Sequence, residues 1–127
     1  MDPAAAQDWL DRYVAAWLSY DSDDIADLFT TDVVYRYHPY DEPVIGREAV
    51  VTSWLGEESD ANASTRDAPG TYGASYSLVA VDGDVVVATG TSSYRDEAGG
   101  PVTQVFENCY IIRFAEDGRC REFTEYY

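Results

Sequence analysis

The chain has 127 residues, enough for one domain with its own hydrophobic core, and we expect one domain over residues 1–127. Hydrophobic residues make up 46% and aromatic residues 14%, which excludes a disordered or low-complexity chain. The 24 acidic residues outnumber 8 basic ones, all of them arginine, and the net charge of -16 argues against nucleic acids and anionic membranes as partners. This aspartate-rich, lysine-free composition fits either a salt-adapted host or a GC-rich coding bias.

Export signals and membrane spans are not indicated by the sequence. The first ten residues have neither the cationic start nor the apolar run of a signal peptide. No segment approaches the roughly 20 apolar residues that a transmembrane helix needs. The two cysteines, Cys109 and Cys120, form no metal-binding or disulfide framework. We therefore expect a cytoplasmic protein without a membrane partner.

Two helices are predicted at the start of the chain. Asp2 can cap a helix over residues 3–20, and Pro3 suits its first position. Its apolar residues recur at helical spacing: Leu10, Tyr13, Val14, Trp17 and Leu18. A second, shorter helix is capped by Asp21 or Ser22. Its predicted apolar face consists of Ile25, Leu28 and Phe29.

A strand and a third helix follow. Residues 33–38 are β-branched and aromatic, which predicts a strand that Pro39 ends. Residues 46–55 are predicted to form a helix, and Gly56 stands where a helix C-terminal glycine belongs.

The second half of the chain has the pattern of an antiparallel sheet. Strands are predicted at residues 71–81, 84–95, 102–114 and 119–127. The dipeptides Asp82-Gly83 and Asp117-Gly118 are strong signals for tight hairpin turns. Three early helices and a later strand meander predict an α+β fold, with the helices packed on one face of a curved sheet.

The last hairpin has a register that the sequence itself predicts. A two-residue turn at Asp117-Gly118 pairs Arg113 with Glu122, Ile111 with Thr124 and Tyr110 with Glu125. The opposite charges of the first pair support this register, although a bulge at the turn glycine would shift it by one residue. Cys109 then faces Tyr126, about 20 Å along the strand from Cys120, so no disulfide is expected between the cysteines.

Three stretches of the sequence resemble a known family. They are Arg12-Tyr13-Val14-Ala15-Ala16, Gly46-Arg47-Glu48-Ala49-Val50, and Ile112-Arg113-Phe114 followed by Asp117-Gly118-Arg119. In this order they resemble the nuclear transport factor 2-like superfamily, in its SnoaL-like and ketosteroid-isomerase-like branch. The resemblance implies a cone-shaped α+β barrel, in which three N-terminal helices pack on a curved, mainly antiparallel sheet and enclose a deep apolar pocket. It also implies a homodimer formed through the outer face of the sheet.

The residues of the ketosteroid isomerases carry over only in part. Their oxyanion-binding tyrosine falls on Tyr13, within the matching run. Their catalytic base falls on Tyr37 and their protonated aspartate on Tyr110. One residue type of three is kept, so the resemblance does not imply steroid isomerisation by that route.

Strand alternation suggests which residues line the pocket. If Tyr110 faces inward, its companions on the last two strands are Gln104, Phe106, Asn108, Ile112, Phe123, Glu125 and Tyr127. With Asn108, Tyr110 and Glu125 this face has a polar floor in an otherwise apolar pocket. The reverse orientation would turn these groups to solvent or to a partner subunit.

Glu125 and His38 are the candidate groups for proton transfer. An apolar pocket would raise the pKa of Glu125 and suit it to acid–base chemistry near neutral pH. Alternatively, this carboxylate accepts hydrogen bonds from neighbouring tyrosines and stabilises the core. His38 is the only histidine, and it could be the acid or base, paired with Asp41 or Glu125, or have a purely structural role. Strand alternation turns it away from Tyr37 unless Pro39 bends the chain.

Further aromatic residues are candidates for substrate binding. Tyr13, Tyr35 and Tyr37 could donate hydrogen bonds to a carbonyl or an oxyanion, or simply pack in the core. Trp17 and Trp54 are expected in the pocket wall. Metal sites, phosphate-binding loops and serine nucleophile motifs are not found, and we expect no cofactor.

These observations lead to a main hypothesis and two alternatives. The main hypothesis is a cofactor-free acid–base enzyme for a small hydrophobic, oxygenated molecule, acting as an isomerase, cyclase, dehydratase or epoxide hydrolase. In one alternative the same pocket binds a hydrophobic ligand without chemistry. In the other, the pocket is filled by tyrosines and the chain is a dimeric scaffold.

Overall fold

A six-stranded sheet with three helices packed against it forms the fold. The computed structural model describes residues 1–56 and 70–126. The helices are α1 (Pro3–Ser19), α2 (Ser22–Asp27) and α3 (Arg47–Leu55). The strands are β1 (Phe29–Arg36), β2 (Val44–Ile45), β3 (Tyr72–Asp82), β4 (Val85–Arg95), β5 (Val102–Phe114) and β6 (Cys120–Tyr126). They are ordered β2-β1-β6-β5-β4-β3, and only β1 and β6 pair in parallel, which confirms the predicted α+β class and mainly antiparallel sheet.

Helix α1 begins as predicted but buries a slightly different face. The Asp2 carboxylate accepts hydrogen bonds from the backbone N–H groups of Ala4 and Ala5, and Pro3 is the first helical residue. The buried stripe consists of Ala6, Trp9, Leu10, Tyr13 and Ala16. Leu18, predicted on this face, is 58% exposed, because it lies outside the stripe that these five buried residues define on the helix surface.

The boundaries of the first strand differ from the prediction. Phe29, predicted on the second helix, instead begins β1, where it pairs with Cys120 of β6. The strand ends at Arg36, before His38, and its residue Tyr35 pairs with Val44 of the short strand β2. These pairings involve residues distant in sequence, which a local pattern does not reveal.

The register predicted for the last hairpin is confirmed. Arg113 pairs with Glu122 and Tyr110 with Glu125, and the register shifts by one residue only at the turn, where Phe114 pairs with Cys120. Both cysteines are free thiols. The hairpin therefore turns Tyr110 and Glu125 toward the same face of the sheet.

Aromatic rings fill the space between α1, α3 and the sheet. The ring of Tyr35 stacks on Phe123 at a centroid distance of 4.6 Å, and Tyr13 stacks on the same phenylalanine at 5.3 Å. The ring of Trp54 meets Tyr13 edge-on at 5.4 Å. Offset and edge-to-face pairs of this kind add stability beyond the area they bury.

Candidate functional site

Strands β4, β5 and β6 present polar groups on the inner face of the sheet. On β5, Asn108 and Tyr110 are buried, whereas Val105, on the opposite face, is 57% exposed. Asn108 pairs with Gly90 of β4, and Glu125 of β6 lies beside Tyr110. The polar floor suggested by strand alternation therefore lies on the helix-facing side of the sheet.

A cavity of about 230 Å³ opens over this floor. Its lining residues come from three strands and from the chain just after β1: Tyr37, His38, Ser92, Tyr94, Phe106, Asn108 and Glu125. The cavity thus combines aromatic walls with a carboxyl, an amide and hydroxyl groups, which is the usual composition of a small-molecule site.

Asn108 is held rigidly by its amide nitrogen. Its Nδ2 donates to the hydroxyl of Tyr76 at 3.0 Å and to Oγ of Ser92 at 3.1 Å. Its Oδ1 is buried and has no hydrogen-bond partner among residues 1–56 and 70–126. A buried acceptor left unpaired costs stability.

Gly90 allows the first of these hydrogen bonds to form. It lies between Tyr76 and Asn108 in the sheet register. A Cβ at this position would come within 2.0 Å of the Ser75 carbonyl oxygen and 2.5 Å of the Tyr76 ring. Only glycine lets the Tyr76 ring lie across β4 and reach the amide of Asn108.

Glu125 is the half-buried carboxyl of the cavity. Its loss of hydration on burial raises its pKa from 4.5 to about 7. Near neutral pH the group therefore exchanges between a protonated form, which donates, and a carboxylate, which accepts. This is the property that acid–base catalysis requires.

The raised pKa of Glu125 predicts a specific pH dependence of stability. The folded state holds the proton more tightly than the unfolded chain, so this group's contribution to the free energy of unfolding falls as pH rises from about 4.5 to about 7. Glutamine cannot lose a proton. The free energy of unfolding of Glu125→Gln, relative to that of the wild type, should therefore increase by about 2 kcal/mol when the pH is raised from about 5 to about 8.5. Urea unfolding of both proteins at the two pH values measures this difference. A constant difference would show that Glu125 titrates normally.

Tyr37 and His38 lie at the side of the cavity. The Tyr37 hydroxyl is 2.6 Å from Oγ of Ser53 on α3, and burial raises the pKa of this phenol. His38 has its Nε2 4.0 Å from a carboxylate oxygen of Asp41 and remains partly exposed. Because β1 ends at Arg36, strand alternation no longer applies to His38, and both residues line the cavity.

The other predicted pocket residues belong to the core and do not line this cavity. The hydroxyls of Tyr13 and Tyr35 are hydrogen-bonded to each other at 3.0 Å, and the rings of Trp17 and Trp54 stack at 4.2 Å. Tyr110 packs against Phe123 and is 2% exposed. The structure thus groups the predicted residues into a cavity set (Tyr37, His38, Phe106, Asn108 and Glu125) and a core set (Tyr13, Tyr35, Tyr110, Trp17 and Trp54). The prediction for Tyr127 lies outside the described residues.

Burial keeps the core phenols protonated. Loss of hydration on burial raises the pKa of Tyr13, Tyr35 and Tyr110 well above the ordinary value, and the charge of Glu125 raises the pKa of each further. These hydroxyls can therefore donate or accept hydrogen bonds as neutral groups, but they do not ionise near neutral pH.

Sequence reasoning missed Ser92 and Tyr94. Both line the cavity from β4, and Ser92 accepts a hydrogen bond from Asn108. The signal was available in principle, because these residues alternate with the outward positions of β4 and pair with Phe106 and Gln104 of β5.

The described part of the chain has neither a metal-binding cluster nor a membrane-spanning helix. No group of three or more histidine, cysteine, aspartate or glutamate side chains there could hold a metal ion. No helix there is long and apolar enough to cross a bilayer.

Comparisons with known proteins agree with this architecture. The family model for the SnoaL-like domain matches residues 10–123. Two solved structures have the same fold, each with a TM-score of 0.65 and 98% of this chain covered. They are Bal32a from a soil-derived mobile gene cassette, at 20% identity over 89% of that chain, and an M. tuberculosis LEH-like epoxide hydrolase, at 17% identity over 83%.

A shorter similarity connects the chain to a transcription factor. The ECF RNA polymerase sigma factor SigG of Mycobacterium tuberculosis, in strains CDC 1551 / Oshkosh and ATCC 25618 / H37Rv, is 41% identical over 51 residues. The match covers 40% of this chain but only 14% of the sigma factor, so it concerns a small part of that protein. With the family model covering most of the sequence, the chain belongs to the SnoaL-like domain family of the nuclear transport factor 2-like superfamily.

Proposed function

We propose that this protein is a cofactor-independent acid–base enzyme acting on a small hydrophobic, oxygenated molecule. The reaction would be a proton transfer of the kind used in isomerisation, cyclisation, dehydration or epoxide opening. The observation that carries the proposal is Glu125, a half-buried carboxyl with a pKa of about 7 in a cavity with aromatic walls.

In this proposal Glu125 moves the proton and its neighbours bind the substrate. A carboxyl with a pKa near the working pH accepts and returns a proton with similar ease. His38, at the cavity side beside Asp41, is placed to assist as a second acid or base. The aromatic residues Tyr37, Tyr94 and Phe106 offer apolar contact, and Asn108, held by Tyr76 and Ser92, offers a polar one.

Tyr13 has a supporting role in the proposal. Its hydroxyl is bonded to Tyr35 and its side chain is 2% exposed, so it does not reach the described cavity. With Tyr35, Tyr110, Trp17 and Trp54 it stiffens the wall behind Glu125, which keeps the carboxyl desolvated.

The proposal is tested by incubating the protein in D₂O with a panel of small ketones, phenols and epoxides. Mass spectrometry of the released compounds and of the native complexes then reads chemistry and binding together. Deuterium uptake, or gain or loss of water, that depends on active protein is the expected result. Compounds that bind but return unchanged would contradict catalysis.

A non-catalytic role is the alternative, and one comparison favours it. A segment of this chain is similar to part of a sigma factor, a protein whose name describes transcription rather than metabolism. In such a setting the cavity would bind a hydrophobic ligand and change an interaction of the domain, without turnover. A compound that binds the cavity and is never converted, across the whole panel, would favour this role.

We also propose a homodimer formed through the outer face of the sheet. Val105 and Tyr126 are 57% and 39% exposed there. Arg113 and Arg36 both approach Glu122, at 3.8 and 3.9 Å, so the charge of this carboxylate on the face is neutralised. Light scattering should give twice the chain mass of 14.1 kDa, and a monomer would contradict the dimer. The free thiols Cys109 and Cys120 fit the cytoplasmic location that we propose with it.

A further inference from the structure

Glu125 is a carboxyl without a partner inside the described part of the protein. None of residues 1–56 and 70–126 forms a hydrogen bond or an ion pair with it, and its raised pKa follows from loss of hydration. The side chain is half-buried, and it lines the cavity, so a molecule in the cavity can reach it. A cation there would stabilise the charged form of this carboxyl, which burial alone disfavours.

Aromatic rings form much of the remaining cavity wall. Tyr94 of β4 and Phe106 of β5 both line it, with ring centroids 5.8 Å apart and ring planes at 82° to each other. Tyr37 lines the cavity from the segment that follows β1. The faces of aromatic rings are electron-rich and attract organic cations, most strongly where water is displaced.

The surrounding charge favours a cation over an anion as the ligand. The chain contains no lysine, and among the described residues no arginine lines the cavity. Arg36 and Arg113 instead approach Glu122, on the outer face of the sheet. An anion would therefore meet Glu125 without a compensating positive charge, whereas the net charge of -16 attracts cations from solution.

We propose that the cavity binds molecules that carry an alkylated ammonium group, which lies beside Glu125 and against the rings of Tyr37, Tyr94 and Phe106. The alkyl groups make the apolar contacts, and the positive charge interacts with the carboxylate and with the rings. This inference rests on the proposed function, because it names the substrate class of the same site.

The affinity for a permanent cation should depend on the protonation of Glu125. With a pKa of about 7, this carboxyl is mostly protonated at about pH 6 and mostly charged at about pH 8, so the affinity should rise about tenfold over this interval. The other titratable groups around it are phenols with raised pKa values and one histidine with its carboxylate neighbour: Tyr13 of α1, Tyr35 of β1, Tyr37, His38 and Asp41 after β1, and Tyr110 of β5. The phenols stay neutral over this interval, which leaves the histidine as the group to be separated from Glu125 by experiment.

The test uses three probes of similar shape and different charge: choline, its neutral carbon analogue 3,3-dimethylbutan-1-ol, and the anion 3,3-dimethylbutanoate. NMR titration at about pH 8 and constant ionic strength follows the backbone amide signals of Phe106, Asn108 and Glu125. Choline should bind about tenfold more tightly than the neutral alcohol, the anion should not bind, and the affinity for choline should fall about tenfold at about pH 6. Equal affinities of choline and the alcohol, saturable binding of the anion, a choline affinity that does not change with pH, or no saturable shift with choline up to about 100 mM would overturn the inference.

Variants assign the preference to the carboxyl and to the rings. Glu125→Gln should remove both the preference for choline and its pH dependence, whereas a pH dependence caused by His38 would persist. The matched control is Glu107→Gln, which removes one negative charge from the exposed outer face of β5 and should keep both properties. Phe106→Leu keeps an apolar side chain but removes the ring, so it should weaken choline binding about fivefold and leave the alcohol unchanged.

The wild-type titrations decide alone if Glu125→Gln fails to fold, because they compare three charges and two pH values on one protein. The probes are read by binding and not by turnover. Failure of this test is therefore distinguishable from failure of the deuterium test of catalysis.

Discussion

Replacing Glu125 with glutamine is expected to lower kcat by about 10²–10⁴-fold while leaving the fold intact. Glutamine has nearly the same shape and resembles the protonated carboxyl, which is the form that the folded protein favours below about pH 7. Only proton transfer is lost. The measurement is the rate of deuterium incorporation into whichever compound of the panel reacts, with circular dichroism in the near ultraviolet to report on the aromatic core.

The pH dependence separates Glu125 from His38. If Glu125 is the base, the wild-type rate is low in acid and rises with a midpoint near pH 7, because the carboxylate is the reactive form. His38→Ala should keep this midpoint, since the histidine lies at the cavity side beside Asp41. Full activity in Glu125→Gln would refute the role, and a midpoint that disappears in His38→Ala would assign it to the histidine.

The last hairpin shows how much of the site the sequence could predict. The Asp117-Gly118 turn and the Arg113–Glu122 pair were sufficient to predict that Tyr110 lies beside Glu125, and the structure has this pairing. The raised pKa of Glu125 was expected from its position on an apolar face, since desolvation acts on any carboxyl placed there. Local turn chemistry and strand alternation therefore predicted the centre of the candidate site.

The parts that were not predicted depend on contacts between distant segments. Strand β2 has two residues, too few for a pattern, and exists because it pairs with Tyr35. His38 lies at the cavity because β1 ends two residues earlier than its composition suggests. The core set was expected to line the pocket, but whether a tyrosine faces a cavity or another ring is decided by how the helices pack, which periodicity does not describe.

Replacing Gly90 with alanine is the second change with a large expected effect. The new Cβ would lie 2.0 Å from the Ser75 carbonyl oxygen and 2.7 Å from Cα of Tyr76, which are backbone atoms that cannot rotate away. Strand β3 would have to shift, and the Tyr76 hydroxyl would withdraw from Asn108. We expect a loss of about 2–4 kcal/mol in the free energy of unfolding, measured by urea denaturation.

The matched control is Gly73→Ala, on the same pair of strands. Its Cβ would lie 3.4 Å from Oγ of Ser93, a side-chain atom that can move aside, so the stability should change by less than about 1 kcal/mol. Gly90 has no left-handed backbone conformation, so a large effect there reports the close approach of Tyr76 and not relief of strain. Gly90→Ala should also broaden the Asn108 side-chain amide signals, because the amide nitrogen loses one of its two acceptors. A Gly90→Ala protein as stable as the Gly73→Ala control, with those signals unchanged, would show that Tyr76 does not need the glycine to hold Asn108 in place.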